Sequence, residues 1–178
     1  MKKLLAPLTL LALAGLFFGC ASAEKKAQTK HEHKHASAVL APTQGNEVKG
    51  TVLFEKQADG KVRMTAKVSG LTPGAHGFHV HEKGDCSAPD ASSAGGHFNP
   101  HQTSHGKAGE GTHHAGDLPS LEADANGNAE LDVVLDSIAL CGDHSIVGRS
   151  LIVHADPDDY VSQPTGNAGA RVACAVIQ

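Results

Sequence analysis

Residues 77–117 read GFHVHEKGDCSAPDASSAGGHFNPHQTSHGKAGEGTHHAGD and hold seven of the thirteen histidines of this 178-residue chain. Side chains of a β-strand alternate between its two faces. Phe78 and Val80 would therefore lie on one face, and His79 and His81 on the other, where two imidazoles can share one metal ion. An H-x-H pair alone is weak evidence, but the same stretch offers further candidate ligands: His97, His105, His113, His114 and Asp117. We predict that this stretch binds metal rather than being a solvated histidine-rich loop.

The chain from Val48 onward has the pattern of an antiparallel β domain. Apolar and polar residues alternate over 61–68, as expected of a strand with one buried face. The turn signal Asp59-Gly60 just before it predicts a hairpin with a strand over 47–56. About 130 residues suit one domain, an antiparallel sandwich or barrel.

Three more strand regions follow downstream. Asn126-Gly127 predicts a second hairpin, between strands over 121–125 and 129–135. Further strands are predicted over 150–155 and 170–177, and no stretch after residue 20 has convincing helical periodicity.

Two long polar segments, 82–117 and 155–169, interrupt the strand pattern. Loops of this length inside a compact domain are usually functional or disordered. Because the first carries most of the candidate ligands, we predict that it is functional.

Residues 1–20 form an export signal, with Lys2 and Lys3 followed by an apolar run that is too short to span a bilayer. Two processing routes are open. Gly19-Cys20 resembles a bacterial lipoprotein site, at which Cys20 would be lipidated, and this route is favoured; residues 21–23 (Ala-Ser-Ala) resemble an ordinary cleavage site. Either route predicts a protein of the periplasm or cell envelope, lipid-anchored in the first case, where disulfides are permitted.

Residues 21–46 are rich in Lys, Ala, Ser, Thr and Gln and contain one apolar pair, so we predict a flexible tether. The tether includes the sequence HEHKH, with histidines at 31, 33 and 35. Two interpretations are open for it: a solvated linker, or a weak metal-collecting arm.

Five blocks of the chain, in this order, resemble the signature blocks of copper/zinc superoxide dismutase: GFHVHEKGDC, SAGGHFNP, HHAGDL, SIVGRSLIVHADPDD and GNAGARVACAVIQ. The resemblance runs from about Val48 to Gln178. It implies an all-β fold, the eight-stranded antiparallel Greek-key β-barrel with immunoglobulin-like sandwich architecture. It also implies an enzyme that disproportionates superoxide to dioxygen and hydrogen peroxide, with copper and zinc as cofactors.

Two sets of four candidate ligands follow. An all-imidazole set suits copper, and a nitrogen-rich set with one carboxylate suits tetrahedral zinc. The family's copper ligands match His79, His81, His97 and His154. Its zinc ligands match His97, His105, His114 and Asp117. The resemblance alone implies that His97 bridges both metals and that His114 is the ligand rather than His113.

The resemblance implies roles for three further residues. Asp158 would accept hydrogen bonds from one copper and one zinc histidine, which fixes their orientation. Arg171 would guide the anion to copper, and Thr165 would narrow the channel. Without the resemblance, Asp158 would be read as a turn residue and Arg171 as a surface residue.

Of the four cysteines, Cys86 and Cys174 match the family's intrachain disulfide. Cys141 has no counterpart, so we predict a buried or interfacial thiol. Cys20 belongs to the signal region.

The formal net charge is −4, and the part from Ala36 onward carries −8. This charge repels an anionic substrate, so a local positive channel must overcome it. It also argues against nucleic acid as a partner. The superoxide anion is the expected small-molecule partner.

Two rival functions use the same histidines. One is a copper carrier or zinc buffer without catalysis, although no ligand and no Arg171 is missing here. The other is a zinc hydrolase with an open metal position, although no glutamate or free histidine is obviously placed as a base. A homodimer is an open alternative to a monomer, because different branches of the family dimerise through different surfaces.

Overall fold

The computed structural model describes residues 33–178. The predicted export signal with Cys20, and residues 21–32 of the predicted tether, lie outside these residues. The described part is all-β, with nine strands: β1 (His35–Pro42), β2 (Lys49–Lys56), β3 (Val62–Ser69), β4 (Gly74–His76), β5 (Phe78–His81), β6 (Leu121–Ala123), β7 (Ala129–Leu135), β8 (Ser150–His154) and β9 (Arg171–Val176). Within residues 33–178, the sole helical element is the short 3₁₀ turn Ser92–Ala94, and no helix is long and apolar enough to cross a membrane.

Seven strands form one curled antiparallel sheet in the order β5-β8-β9-β1-β2-β3-β7, and β4 pairs with β6 beside it. Gly77 alone separates β4 from β5, so these two form one interrupted strand that passes from the small sheet to the large one. Counted in this way, the strands number eight. The arrangement confirms the predicted antiparallel Greek-key barrel.

The core fills the inside of the barrel, as the alternation in β3 predicts. Val62, Met64, Ala66 and Val68 are buried, while the residues between them are exposed or half-exposed. The hairpin at Asp59-Gly60 is also confirmed, because β2 and β3 pair antiparallel over their whole length.

The second predicted hairpin is wrong, although its turn is present. The Asp124 amide donates to the Asn128 carbonyl at 2.8 Å, and Gly127 has a φ of 75°. Beyond this turn the two strands part: β6 pairs with β4, whereas β7 pairs with β3. The turn therefore joins the two sheets at the place where the barrel closes.

The tether prediction is wrong from His35 onward, because β1 is a strand of the barrel. Ala36, Ala38 and Leu40 are buried, and β1 pairs with both β2 and β9. The metal-collecting interpretation of the arm stays a prediction: His31 lies outside the described residues, His33 is exposed just before β1, and His35 is the exposed first residue of β1.

The two long loops cover the outer face of β5 and β8. Ile152 points out of the barrel into a small apolar cluster with Ala91, Ala94 and Cys174. The Cys86–Cys174 disulfide ties the first loop to β9, with 5.9 Å between the Cα atoms. This outer face is where the candidate ligands lie.

Candidate metal centre

Strands β5 and β8 supply three of the candidate ligands from the outer wall of the barrel. Phe78 and Val80 join the core, so His79 and His81 face outward. Both histidines have no solvent exposure because the long loop lies over them. His154 ends β8 on the same outer face and is also buried.

The 82–120 loop docks on β5 through main-chain hydrogen bonds. The Val80 amide donates to the Gly116 carbonyl at 2.9 Å, and the Phe98 amide donates to the Val80 carbonyl at 2.8 Å. Gly116 is required at this crossing, because a Cβ there would collide with the Val80 carbonyl oxygen. This docking brings His97 and Asp117 against His79 and His81.

The predicted copper set comes together with its donor atoms facing one another. His79 Nε2 donates to Asp158 at 2.7 Å, His81 Nδ1 donates to the Gly95 carbonyl at 2.9 Å, and His154 Nδ1 donates to the Gly169 carbonyl at 3.2 Å. A neutral imidazole has one N–H, so the opposite nitrogen of each ring presents a lone pair.

Five buried ring nitrogens have no hydrogen-bond partner within residues 33–178. One, His105 Nδ1, belongs to the zinc set, and the other four belong to the copper set: His79 Nδ1, His81 Nε2, His97 Nε2 and His154 Nε2. These four lie within 4.8 Å of one another. An unsatisfied buried polar atom destabilises the fold by about 1–3 kcal/mol, and a metal ion would remove this cost for all four. The residues therefore fit a copper ion.

The predicted zinc set surrounds the Asp117 carboxylate. Its Oδ1 lies 2.9 Å from His97 Nδ1, 3.0 Å from His105 Nδ1 and 3.3 Å from His114 Nδ1. The ligands of a tetrahedral zinc ion at about 2.0–2.1 Å are about 3.3–3.4 Å apart. The set is thus slightly tighter than a zinc polyhedron and fits that ion.

His97 belongs to both sets. Its Nδ1 faces Asp117, while its Nε2 is one of the four unpartnered nitrogens on the other side. His113 stays outside both sets: it is half-buried, and its Nδ1 donates to the His114 carbonyl at 2.8 Å.

Asp158 links the two sets, as the resemblance implies. Its Oδ2 accepts from His79 Nε2 at 2.7 Å and its Oδ1 accepts from His105 Nε2 at 2.9 Å. Gln163 holds the same region, because its side-chain oxygen accepts from the His105 amide at 2.8 Å and its NH₂ donates to the His105 carbonyl at 3.0 Å.

Burial makes three of the imidazoles poor bases. Desolvation lowers the pKa of His81 to about 2, of His154 to about 3 and of His97 to about 4. These rings are neutral near pH 7, so no proton competes with a metal ion for their nitrogens in the copper set.

The zinc side is charged in a different way. Burial alone would lower the pKa of His105, but hydrogen bonds with Asp117 and Asp158 raise it to about 9. Burial alone would raise the pKa of both carboxyl groups, but hydrogen bonds from the histidines hold each pKa well below its usual range.

Arg171 begins β9 and is half-buried beside the copper set. Its two terminal nitrogens donate to the carbonyls of Ala91 and Gly95 at 2.6 and 2.7 Å. Gly95 also accepts from His81, so one carbonyl connects the guanidinium to a candidate ligand. Arg171 lines an open cavity of about 400 Å³. Thr165, the predicted channel residue, is partly exposed on the second long loop.

The structure shows the state of three of the four cysteines. The disulfide between Cys86 and Cys174 is confirmed. Cys141 is a free, partly exposed thiol, so its interpretation as a buried thiol is wrong. The interfacial alternative stays a prediction, and Cys20 lies outside the described residues.

Three glycines that the sequence did not single out hold residues of the two sets in place. The carbonyls of Gly95 and Gly169 orient His81 and His154, and Gly166 packs against Asp158. All three glycines have positive φ, between 65° and 78°. The Gly-rich patterns around them were the available signal, but a carbonyl group has no residue type to recognise.

Comparisons with known proteins agree with this geometry. Residues 48–177 match the family model described as copper/zinc superoxide dismutase (SODC). The chain is also similar to a solved structure titled "Crystal Structure Analysis of the clock protein EA4", with 43% identity and a TM-score of 0.75 over 81% of this chain and 93% of that chain. The chain belongs to the copper/zinc superoxide dismutase family.

Proposed function

We propose that the two ligand sets described above form one bimetallic centre that disproportionates superoxide to dioxygen and hydrogen peroxide. The chain is a superoxide dismutase, an oxidoreductase with copper and zinc as cofactors. The observation that carries the site assignment is His97, whose two ring nitrogens face different sets.

Each metal has its own set of residues. His79, His81, His97 and His154 would hold copper, and His97, His105, His114 and Asp117 would hold zinc. Copper would supply one-electron chemistry by alternating between two oxidation states, whereas zinc is redox-inactive and would hold the site in shape.

The protein side of the reaction begins with Arg171. Its guanidinium is fixed by two carbonyls and is the cation beside the copper set. We infer that it attracts and orients the superoxide anion there, and that Thr165 limits the width of the approach. Two fixed hydrogen bonds keep the guanidinium plane in one orientation, which a mobile lysine would not provide.

His97 is the residue best placed to pass a proton. Its Nε2 faces the copper set while its Nδ1 lies among the zinc ligands. With Nδ1 taken up among the zinc ligands, a proton on this ring could reside only at Nε2, and only while Nε2 is not a copper ligand. We infer that one proton reaches the reduced anion from this atom and the other from water.

The assignment is tested by comparing His97→Ala with His154→Ala after reconstitution with copper and zinc. We expect both variants to lose superoxide dismutation, and we expect His97→Ala to lose zinc as well. The His154→Ala variant should keep zinc and lose mainly copper. Equal zinc content in His97→Ala and the wild type would contradict the bridge.

The same reconstitution separates the two rival functions. A copper carrier would bind copper without accelerating the loss of superoxide, and a zinc hydrolase would be unaffected by copper. Copper-dependent superoxide loss in the wild type is the outcome that we expect.

The disulfide between Cys86 and Cys174 indicates an oxidising compartment. We propose that the chain is exported to the periplasm or cell envelope and is lipidated at Cys20. We expect the mature wild-type protein to partition into detergent and the Cys20→Ser variant to stay in the aqueous phase. A soluble mature form that begins at Glu24 would support the ordinary cleavage site instead.

A further inference from the structure

A third group of imidazoles lies outside the metal centre. His101, in the loop between His97 and His105, faces His144, in the loop before β8. The two Nε2 atoms are 2.7 Å apart, and the ring centroids are 4.6 Å apart at an interplanar angle of 60°. His101 is exposed and His144 is half-exposed, so solvent reaches the pair.

The hydrogen bonds of the pair fix the state of one ring. His144 Nδ1 lies 3.2 Å from the Ser137 carbonyl oxygen, which can only accept. A neutral His144 therefore carries its proton on Nδ1 and directs a bare lone pair from Nε2 toward His101. His101 Nδ1 has no hydrogen-bond partner within residues 33–178, so this ring can take either tautomer.

Local contacts hold both rings in place. The Asn99 side chain closes the turn that carries His101, because it donates to the Thr103 carbonyl at 2.8 Å and accepts from the Thr103 amide at 3.1 Å. The turn that carries His144 is closed by the Ala139 amide, which donates to the His144 carbonyl at 2.9 Å. The two nitrogens thus meet between two loops of fixed shape.

We propose that His101 and His144 form a separate, solvent-exposed site for a divalent transition-metal ion, with copper(II) bound most strongly. If His101 carries its proton on Nδ1, both Nε2 atoms present lone pairs to the same point. Imidazole is a ligand for this class of ion, and copper(II) stands at the top of its affinity order.

The separation of the two nitrogens favours copper(II) geometry over zinc geometry. At a metal–nitrogen distance of about 2.0 Å, two nitrogens at a right angle are about 2.8 Å apart, and at a tetrahedral angle about 3.3 Å apart. The observed 2.7 Å fits neighbouring corners of a tetragonal copper(II) site. Because the pair is exposed, water can fill the other positions.

The test uses the full-length protein with both buried sites already filled with copper and zinc. Additional copper(II) is titrated into the wild type, His101→Ala, His144→Ala and the double variant, and bound copper is counted by equilibrium dialysis. His113→Ala is the matched control, because His113 lies on the same loop without an imidazole partner. Every sample keeps the histidines at 31, 33 and 35, so their copper cancels in the differences.

We expect each single variant to bind one copper(II) fewer than the wild type, or to bind that ion at least tenfold more weakly. The double variant should lose no more than either single variant, because both residues serve one ion. His113→Ala should match the wild type, and the superoxide dismutase activity should be the same in all five proteins.

Unchanged copper binding in the variants would mean that the pair is a hydrogen bond and nothing more. A double variant that loses two ions would also overturn the proposal, since the histidines would then act independently. If His144→Ala impairs folding, the exposed His101→Ala variant decides the question alone. Neither outcome depends on the buried centre, so failure here leaves the proposed function untouched.

Discussion

The Asp158 carboxylate accepts a hydrogen bond from one histidine of each metal set. Gly166 lies directly against this carboxylate. A Cβ at position 166 would collide with Asp158 Oδ1 and would lie 2.6 Å from His105 Nε2. The backbone at Gly166 also has a φ of 65°, which L-residues rarely adopt. A change at a residue that binds no metal should therefore disturb both sets.

We predict that Gly166→Ala weakens the retention of copper and zinc together, because Asp158 must move away from His79 and His105. Metal content after dialysis against a chelator measures this effect. Gly45→Ala is the matched control: Gly45 has a φ of 80° with open space around it, so it reports the backbone strain of about 1–2 kcal/mol alone. Equal metal retention in the two variants would contradict the role of Asp158.

The raised pKa of His105 predicts a pH-dependent zinc affinity. Its pKa of about 9 means that the metal-free protein carries a proton on this ring at pH 7. Zinc must displace that proton from Nδ1, so the affinity should rise about tenfold per pH unit from pH 7 to pH 9 and then level off.

Calorimetry of zinc binding in buffers of different ionisation enthalpy measures the proton count. About one proton should be released from His105 per zinc at pH 7.5. Release should fall toward zero above pH 9, where His105 is already neutral. A proton count near zero at pH 7.5 would show that the ring is neutral in the metal-free protein.

The sequence predicted every side chain of the two sets that the structure brings together, since imidazoles and carboxylates at family positions are recognisable residue types. It could not identify the Gly95 and Gly169 carbonyls that orient His81 and His154. A main-chain group takes its role from the path of the backbone, and that path depends on the folded loops. The His101–His144 pair was not predicted either, because 43 residues separate its members and only the folded loops bring the two rings together.

At the level of elements, strands with bulky alternating side chains were predictable and β1 was not. In β1 the buried positions hold Ala36 and Ala38, while Val39 is 72% exposed. This weak and partly inverted pattern resembles that of a linker. The turn at Asn126-Gly127 was predictable from its residues, but the partners of the strands on either side depend on how the barrel closes.

The disulfide ties the first long loop to β9, and its removal should lower stability. It joins residues 88 apart in sequence, for which chain entropy gives about 4–5 kcal/mol as an upper value. We predict that Cys86→Ser lowers the free energy of unfolding of the metal-free protein by up to this amount. Activity should also fall, because the loop carries the Ala91 and Gly95 carbonyls that hold Arg171.

Denaturant unfolding of Cys86→Ser and Cys174→Ser measures the loss, and the two variants should agree. Cys141→Ser is the control, because Cys141 forms no disulfide and is partly exposed. A loss in the control as large as in the other two variants would assign the effect to the loss of a thiol rather than of the cross-link.

Over the whole molecule, an anionic substrate meets a protein of net negative charge. The part from Ala36 onward carries −8, so attraction to the centre must be local, and Arg171 is its source in our proposal. Such attraction between exposed charges weakens as salt rises, with a Debye length of about 10 Å at 0.1 M.

We predict that Arg171→Ala keeps both metals and lowers the rate of dismutation, and that Arg171→Glu lowers it further. The wild-type rate should fall with ionic strength, and this slope should flatten or invert in Arg171→Glu. Arg171→Lys keeps the positive charge but loses the paired hydrogen bonds to the Ala91 and Gly95 carbonyls. This variant therefore separates attraction of the anion from its orientation. Unchanged rates and slopes at equal copper content would make Arg171 an ordinary surface arginine.

In the proposed centre, the shared imidazole of His97 and the shared carboxylate of Asp158 would make the two ions thermodynamically linked. If zinc, by fixing these two groups, raises the affinity for copper by some factor, then copper must raise the affinity for zinc by that same factor. The order of loading can change which step is tight, but the product of the two affinities is the same by either route. Where that factor exceeds one, the centre favours the doubly loaded form over a mixture of half-loaded chains, whichever ion arrives first.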